Sequence, residues 1–185
     1  KKVALVGPSD YINKELDDQH GKYIDSHDVV IRLNNMIYIE DKELEEKYYG
    51  TKYDIIASAF WHINNMGSNV DQWEHKRYLD EKSYKNLKDG TILYECYARN
   101  LFSTIYEKYK TTIDSKNIKY GNSTPAFYQK TLQLLNQISP INKTPTTGMM
   151  MIAMILLCNP RKLYISGITC YLDLKNNAYY DSYFI

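Results

Sequence analysis

The sequence lacks the features that mark several common protein classes. It contains three cysteines and no CxxC pair, so it offers neither a disulfide framework nor a strong metal-binding motif. Its longest apolar run, residues 149–158, is far shorter than the ~20 residues that cross a membrane, and no N-terminal stretch resembles a signal peptide. With 23 basic and 22 acidic residues, the net charge is +1, which argues against a general nucleic-acid binder. We therefore expect no metal, no membrane span and no nucleic-acid partner.

The length and the tyrosine content set further expectations. A chain of 185 residues fits one domain, which can bury about 70% of its unfolded surface without a disulfide or a metal. Because the chain begins without Met and stops at Ile185 in mid-pattern, we expect residues 1–185 to be a single domain that is incomplete at its C-terminus. The 19 tyrosines reflect AT-rich coding bias or, in part, line a sugar site, where a ring face and a hydroxyl suit a carbohydrate.

Apolar runs and helical patterns alternate along the chain. The runs predict strands at 3–6, 29–33, 53–59, 91–94 and 163–165. Helices are predicted from Ser9 or Asp10 to about residue 20, ended by Gly21, and at 39–48, 101–113, 124–138 and 146–158. The 124–138 helix is predicted to begin with Thr124 as its N-cap and Pro125 at its first helical position. Its predicted apolar face consists of Phe127, Leu134, Leu135 and Ile138. This alternation predicts an α/β fold with a mainly parallel sheet, whose ligand binds at the carboxyl ends of the strands.

The residues that end the first two strands are candidate ligand contacts. Gly7 lets the backbone pass close to a bound group, and Ser9 offers a hydroxyl at a helix N-terminus, although a tight strand-to-helix turn is the alternative for both. Asn34 ends the second strand, and its amide suits a phosphate oxygen or a sugar hydroxyl; an asparagine in a plain turn is the alternative.

Arg32 lies one residue before the end of the second strand. It could bind phosphate, but we favour a structural pairing with a carboxylate such as Asp25 or Asp28. His27 is expected to position the turn before the strand rather than to take part in chemistry.

A threonine-rich segment begins the most apolar helix of the chain. Thr146, Thr147 and Gly148 place hydroxyls and N–H groups at a helix N-terminus, which is a ready anion site worth about 0.3–1 kcal/mol from the dipole alone. Ordinary capping by Thr144 or Thr146 is the alternative.

Taken together, these motifs resemble those of the eukaryotic-type sialyltransferase family. Residues 3–34 are similar to its large sialylmotif, with an apolar strand, a Gly-x-Ser turn, a spaced Gly21 and Ile-Asp-Ser-His-Asp-x-Val-Ile-Arg-x-Asn. Residues 144–167 are similar to its small sialylmotif, with Pro-Thr-Thr-Gly-Met, an apolar helix, Cys158 and a strand that ends at Gly167. Residues 179–181 are similar to the short third motif.

The resemblance implies a single Rossmann-like domain in a variant of the GT-A glycosyltransferase architecture. It also implies metal-independent transfer from a CMP-activated sugar, normally CMP-sialic acid, with inversion at the anomeric carbon. By position, Ser9 and Asn34 would contact the nucleotide or its phosphate, and Gly167 would lie under the cytidine. Residues 146–148 would hold ribose, phosphate or the donor carboxylate. The expected donor-binding residues are Gly7, Ser9, Asn34, Thr146, Thr147, Gly148 and Gly167.

The sequence departs from the family pattern at several points. Pro8 replaces the asparagine of the family's Gly-Asn-Ser turn, which removes one phosphate contact. Val3 replaces the cysteine that would pair with Cys158, so a reduced, cytoplasmic setting is expected. The family's catalytic histidine, followed four residues later by glutamate, does not occur by Ile185. We expect that base beyond Ile185 and regard His62 as a weak candidate, since a loop histidine is the simpler interpretation.

These observations predict a cytoplasmic, sialyltransferase-like glycosyltransferase that needs no cofactor and acts on a glycan or glycolipid acceptor. One alternative is the same chemistry with CMP-Kdo or another CMP-linked 2-keto sugar acid, because both donors present a carboxylate and CMP. A second alternative is a catalytically inactive nucleotide- or glycan-binding relative. A purely structural α/β domain is the third.

Overall fold

A parallel β-sheet forms the centre of the fold. A computed structural model describes residues 1–8, 20–34, 36, 39, 41–59, 84–98, 102–138, 140 and 145–168. Within these residues the sheet has six strands in the order β5-β4-β3-β2-β1-β6, and all neighbouring strands are parallel. The strands are β1 (Lys2–Val6), β2 (Val29–Leu33), β3 (Ile55–Ser58), β4 (Ile92–Glu95), β5 (Lys119–Asn122) and β6 (Lys162–Ser166). The predicted α/β fold with a parallel, Rossmann-like sheet is confirmed.

Five helices accompany the sheet in the described part of the chain. They are α1 (His20–Asp25), α2 (Lys42–Leu44), which continues as a π-helical segment (Glu45–Tyr49), α3 (Phe102–Ser115), α4 (Pro125–Ile138) and α5 (Thr147–Leu157). Side-chain caps fix several of their starts: Thr124 Oγ1 accepts a hydrogen bond from Phe127 N at 3.2 Å, and Asp41 Oδ1 accepts one from Leu44 N at 2.9 Å. The prediction that α4 begins at Pro125 with Thr124 as its N-cap is therefore confirmed.

Apolar side chains cover both faces of the sheet, as expected for parallel strands. One face packs against α4 and α5 through a cluster that includes Leu5, Ile31, Leu33, Ala57, Leu135, Met150, Met154 and Ile155. The other face carries a cluster with α1 and the π-helical segment, made of Ala4, Val6, Ile24, Val30, Met36 and Tyr49. A third cluster, which includes Ile56, Tyr84, Leu93 and Ile113, lies around β3 and β4.

The sequence missed strand β5 and misassigned Gly21. Strand β5 reads Lys-Tyr-Gly-Asn, which has no apolar run, and it forms because it pairs with β4, where Tyr94 lies opposite Gly121. Gly21 lies inside α1 rather than at a helix end. A Cβ there would lie 1.9 Å from the carbonyl oxygen of Glu46, so the residue lets α1 contact the π-helical segment. Residues 9–19, where the preceding helix was predicted, lie outside the described residues.

Two further predictions were wrong in part. The helix predicted at 39–48 is shorter than expected, and in its π-helical part Glu45 and Tyr49 are buried. In α4, Leu135 is buried as predicted, but Ile138 is 71% exposed because it is the last residue of the helix and has no place in the core cluster.

Among the described residues, no helix combines enough length with enough apolar character to span a membrane.

Candidate functional site

Arg32 is a buried structural residue rather than a surface ligand group. Its side chain is fully inaccessible and forms an ion pair with Glu45 Oε1 at 2.9 Å. Nη1 also donates to the carbonyl oxygen of Met36 at 2.9 Å, and Nη2 donates to the carbonyl oxygen of Gly50. The predicted structural pairing is confirmed, but the suggested partners were wrong. The carboxylate comes from the π-helical segment, which tertiary packing places above the strand.

Asp25, the last residue of α1, and His27, which lies between α1 and β2, contact main-chain groups of the neighbouring segments. The Asp25 carboxylate accepts hydrogen bonds from Thr51 N and Lys52 N, each at 2.9 Å. His27 Nδ1 lies 3.0 Å from the carbonyl oxygen of Tyr23 and 3.1 Å from that of Ile24. The segment before β2 therefore braces the strand, and its charged groups are engaged within the protein.

The carboxyl ends of β1 and β6 meet at two glycines. Gly7 N donates to the carbonyl oxygen of Ser166 at 2.8 Å, and a Cβ on Gly7 would lie 2.3 Å from the carbonyl oxygen of Gly167. Only a glycine permits this approach. Strands β2 to β5 lie on one side of β1 and β6 lies on the other, so Gly7 and Gly167 mark the position where the strand order reverses. Open α/β sheets bind ligands in the crevice at this position.

The N-terminus of α5 lies beside these glycines. Thr146 is its N-cap, and Thr146 Oγ1 accepts a hydrogen bond from Met149 N at 3.3 Å. Thr147 and Gly148 are the first two residues of the helix, and N–H groups at these positions have no acceptor within the helix. The preceding turn is fixed by Tyr97, whose hydroxyl donates to the carbonyl oxygen of Pro145 at 2.7 Å.

Ile168 connects the glycines to α5. A Cβ on Gly7 would lie 2.6 Å from Ile168 Cγ1, and a Cβ on Gly148 would lie 3.3 Å from Ile168 Cγ2 and 3.6 Å from Leu33 Cδ1. The structure therefore brings Gly7, Gly148 and Gly167 together around one side chain, at the ends of three elements that are far apart in sequence. Leu33 adds the end of β2 to the same region.

Asn34 leaves β2 in a left-handed conformation. Its φ is 54°, a region that asparagine tolerates better than most residues. Its N–H donates to the carbonyl oxygen of Ala57 at 2.9 Å, and its Oδ1 accepts a hydrogen bond from Ser58 Oγ at 3.3 Å. Ser58 ends β3 and was not among the site residues that the sequence predicted, although a polar residue at the end of an apolar run is a signal that could have identified it.

The described candidate residues form a site without formal charge. Gly7, Asn34 and the residues at the α5 N-terminus offer N–H groups, an amide and hydroxyls, and the helix dipole favours an anion there. No group of three histidine, cysteine, aspartate or glutamate side chains suited to a metal ion occurs within the described ranges. Ser9 and His62 lie outside the described residues, as do residues 179–181.

Three titratable groups with shifted pKa values lie around β3 and β4, outside the candidate site. Burial raises the pKa of Tyr94, whose hydroxyl lies 3.0 Å from Ser123 Oγ. Burial also raises the pKa of Tyr53, and burial followed by the nearby charge of Arg32 lowers the pKa of Lys88. Tyr53 and Lys88 precede β3 and β4, and Tyr94 lies within β4, so none of them belongs to the candidate site.

Comparison with known proteins gives a family that agrees with this geometry. The family model for glycosyltransferase family 29 (sialyltransferase) matches residues 1–183. No curated protein matches the chain. Because the family model covers nearly the whole chain, including both ends of the sheet described above, the chain belongs to glycosyltransferase family 29, the sialyltransferase family.

Proposed function

We propose that this protein transfers a sialic acid from a CMP-activated donor to a hydroxyl of a glycan or glycolipid acceptor, without a metal ion. The observation that carries the proposal is the meeting of Gly7, Gly148 and Gly167 at the reversal point of the sheet, beside the N-terminus of α5. Open α/β sheets bind their ligands in the crevice at this reversal point, and the helix N-terminus suits the phosphate of a nucleotide. We also propose that the sheet belongs to a GT-A variant.

The proposed reaction follows from where charge develops. The acceptor oxygen forms a bond to the anomeric carbon while the bond from that carbon to the CMP phosphate oxygen breaks, with inversion. The acceptor proton passes to a base, for which we propose a histidine beyond Ile185, with His62 as the lesser candidate. In this proposal, hydrogen-bond donors stabilise the negative charge that develops on CMP. These donors are the N–H groups of Thr147 and Gly148, the hydroxyl of Thr147 and the amide of Asn34. Positioned donors of this kind stabilise a leaving group most when they need no rearrangement.

Ser9 and Thr146 complete the proposed donor site. Ser9 would contact the phosphate, and Thr146 would support the ribose or the donor carboxylate while it caps α5. Gly167 would lie under the cytidine. We also propose a cytoplasmic setting, because Val3 stands where the family has the cysteine that pairs with Cys158.

A different CMP-linked sugar acid is the specific alternative to CMP-sialic acid as the donor. CMP-Kdo and other CMP-linked 2-keto sugar acids carry the same nucleotide and a carboxylate at the same carbon, so the residues named above would bind either donor. An inactive relative that only binds nucleotide or glycan is the remaining candidate.

Calorimetry with CMP in the presence of a chelator tests the donor site. We expect CMP to bind without added metal, and Thr147→Val to weaken binding by ~1–3 kcal/mol because a polar group of the ligand loses its partner. Thr112→Val is the matched control: Thr112 is a half-buried helix residue in α3 and lies outside the site, so CMP affinity should stay unchanged. Failure of the wild-type protein to bind millimolar CMP would rule out both the transferase and the nucleotide-binding relative.

A turnover assay then separates these two possibilities. CMP release from CMP-sialic acid and from CMP-Kdo is measured with a panel of glycan and glycolipid acceptors. Release that depends on the acceptor identifies a transferase and its donor. CMP binding without release from either donor identifies an inactive relative.

A further inference from the structure

The end of β3 holds the side chain of Asn34 in one orientation. Asn34 has two contacts with this strand: its N–H donates to the carbonyl oxygen of Ala57 at 2.9 Å, and its Oδ1 accepts from Ser58 Oγ at 3.3 Å. Register explains the second contact, because Leu33 lies opposite Ala57 in the sheet, so the next residues on each strand are neighbours. Ser58 is buried, with 7% of its surface exposed.

The direction of the hydrogen bond decides what Asn34 can offer to a ligand. A primary amide has one acceptor oxygen and a nitrogen with two donor hydrogens. When the Ser58 hydroxyl donates to Oδ1, it engages the acceptor end of the amide. This bond fixes which end of the amide lies at Ser58, and it leaves both hydrogens of the donor end, Nδ2, for a ligand. A phosphate oxygen accepts hydrogen bonds only, whereas a sugar hydroxyl could pair with either end of a freely rotating amide.

We propose that Ser58 is a positioning residue that holds the Asn34 amide with Nδ2 toward the phosphate of the CMP donor. This inference rests on the proposed function, because it names the group that Asn34 recognises within that same site. The left-handed backbone of Asn34, with φ 54°, turns the residue out of the strand direction, and Ser58 removes the remaining freedom of the side chain. Orientation before binding lowers the entropy that binding must remove.

Calorimetric titration with CMP and with cytidine tests this role, since the two ligands differ only in the phosphate. We expect Ser58→Ala to weaken CMP binding by about three- to tenfold, the range of one ordinary hydrogen bond, and to change cytidine binding by less than about twofold. Asn34→Ala should weaken CMP binding at least as much. In the Asn34→Ala background, Ser58→Ala should have little further effect on CMP affinity, because the proposed effect of Ser58 on the phosphate is exerted through the Asn34 amide.

Two sets of controls separate orientation from stability. Ser123→Ala removes another buried hydroxyl at the end of a strand but makes no contact with Asn34, so it should leave CMP affinity unchanged whatever it does to the melting temperature. Ser58→Thr keeps the hydroxyl and Ser58→Val replaces it with a methyl of the same shape. We expect the threonine variant to bind CMP like wild type and the valine variant to bind like Ser58→Ala. This pair also carries the test if Ser58→Ala does not fold.

The possible results distinguish this inference from the proposed function. Three results would overturn the positioning role and leave the proposed CMP site in place. They are wild-type CMP affinity in Ser58→Ala, equal CMP affinity in Ser58→Thr and Ser58→Val, and a loss of cytidine affinity in Ser58→Ala as large as its loss of CMP affinity. Normal CMP binding by Asn34→Ala would overturn it as well, because Asn34 would then not contact the phosphate. Absence of CMP binding by the wild-type protein would overturn the proposed function itself.

Discussion

Replacing Arg32 by methionine should destabilise the fold strongly and leave the nucleotide site intact. Arg32 is fully buried, and its guanidinium binds Glu45 and two carbonyl oxygens inside the protein. Removing one partner of a buried ion pair costs about 3–5 kcal/mol, because the other charge is left in a poorly solvated position. Glu45 keeps a second partner, Lys42 Nζ at 2.7 Å. We therefore expect Arg32→Met to cost about 3 kcal/mol, the lower end of that range.

Urea unfolding followed by circular dichroism measures this cost. Lys42→Met is the matched control, since it breaks the other ion pair of Glu45 through a side chain that is 64% exposed; such a pair contributes about 1 kcal/mol or less. The double variant Arg32→Met/Glu45→Leu should recover part of the stability, because it also removes the buried carboxylate that has lost its partner Arg32. Under native conditions, the folded Arg32→Met protein should bind CMP within about twofold of wild type, because a group that only braces the fold adds no binding energy.

Two outcomes would refute this reasoning. A cost below about 1 kcal/mol for Arg32→Met would mean that the buried pair is not a principal support of β2. A loss of CMP affinity greater than about tenfold in the folded variant, or 1.4 kcal/mol, would mean that Arg32 binds the nucleotide, which is the interpretation that its buried contacts argue against.

Two further predictions concern the glycines and the acid limb of stability. Gly7→Ala should abolish CMP binding or unfold the protein, because its Cβ would lie 2.3 Å from the Gly167 carbonyl oxygen. Gly148→Ala should reduce CMP affinity less, because its Cβ would lie 3.3 Å from a flexible isoleucine side chain. Calorimetry and thermal melting check both variants, and a larger loss in Gly148→Ala than in Gly7→Ala would contradict the site geometry. The main-chain N–H of Lys2, 2.7 Å from Asp28 Oδ2, lowers the pKa of Asp28 from its ordinary 3.8. The contribution of the Asp28 carboxylate to stability is therefore present at pH values above its unfolded-state pKa, and it is lost as the pH falls through the lower folded-state pKa. Carboxyl NMR titration should place Asp28 below 3.8, Asp28→Asn should flatten the acid limb of the stability curve, and a normal pKa would show that the bond to Lys2 is absent in solution.

Local pattern was enough to predict most of the elements. Apolar runs located five of the six strands that the described residues contain, and the Thr124 and Thr146 caps located two helix starts. These signals are local, because a cap or an apolar run depends on residues within a turn of one another. Strand β5 has no such local signal, and its pairing with β4 alone makes it a strand.

Part of the site was predictable for the same reason. The α5 N-terminus follows from Thr146 and the apolar helix after it, and parallel strands require that Gly7, Asn34 and Gly167 lie at one edge of the sheet. The motif resemblance to sialyltransferases, confirmed at the level of the family, needed only the order and spacing of residues.

The sequence by itself therefore determined the family, the class of fold and the residues at the strand and helix ends. Only the tertiary structure decided which groups meet. It paired Arg32 with Glu45 rather than with Asp25 or Asp28, placed Gly7 against Gly167, and turned Ser58 toward Asn34. The physical reason is that strand register, helix packing and the burial of a charge depend on contacts between distant parts of the chain. The side chain of Asn34, whose backbone is left-handed, also contacts a residue of the neighbouring strand, and local sequence does not specify that contact.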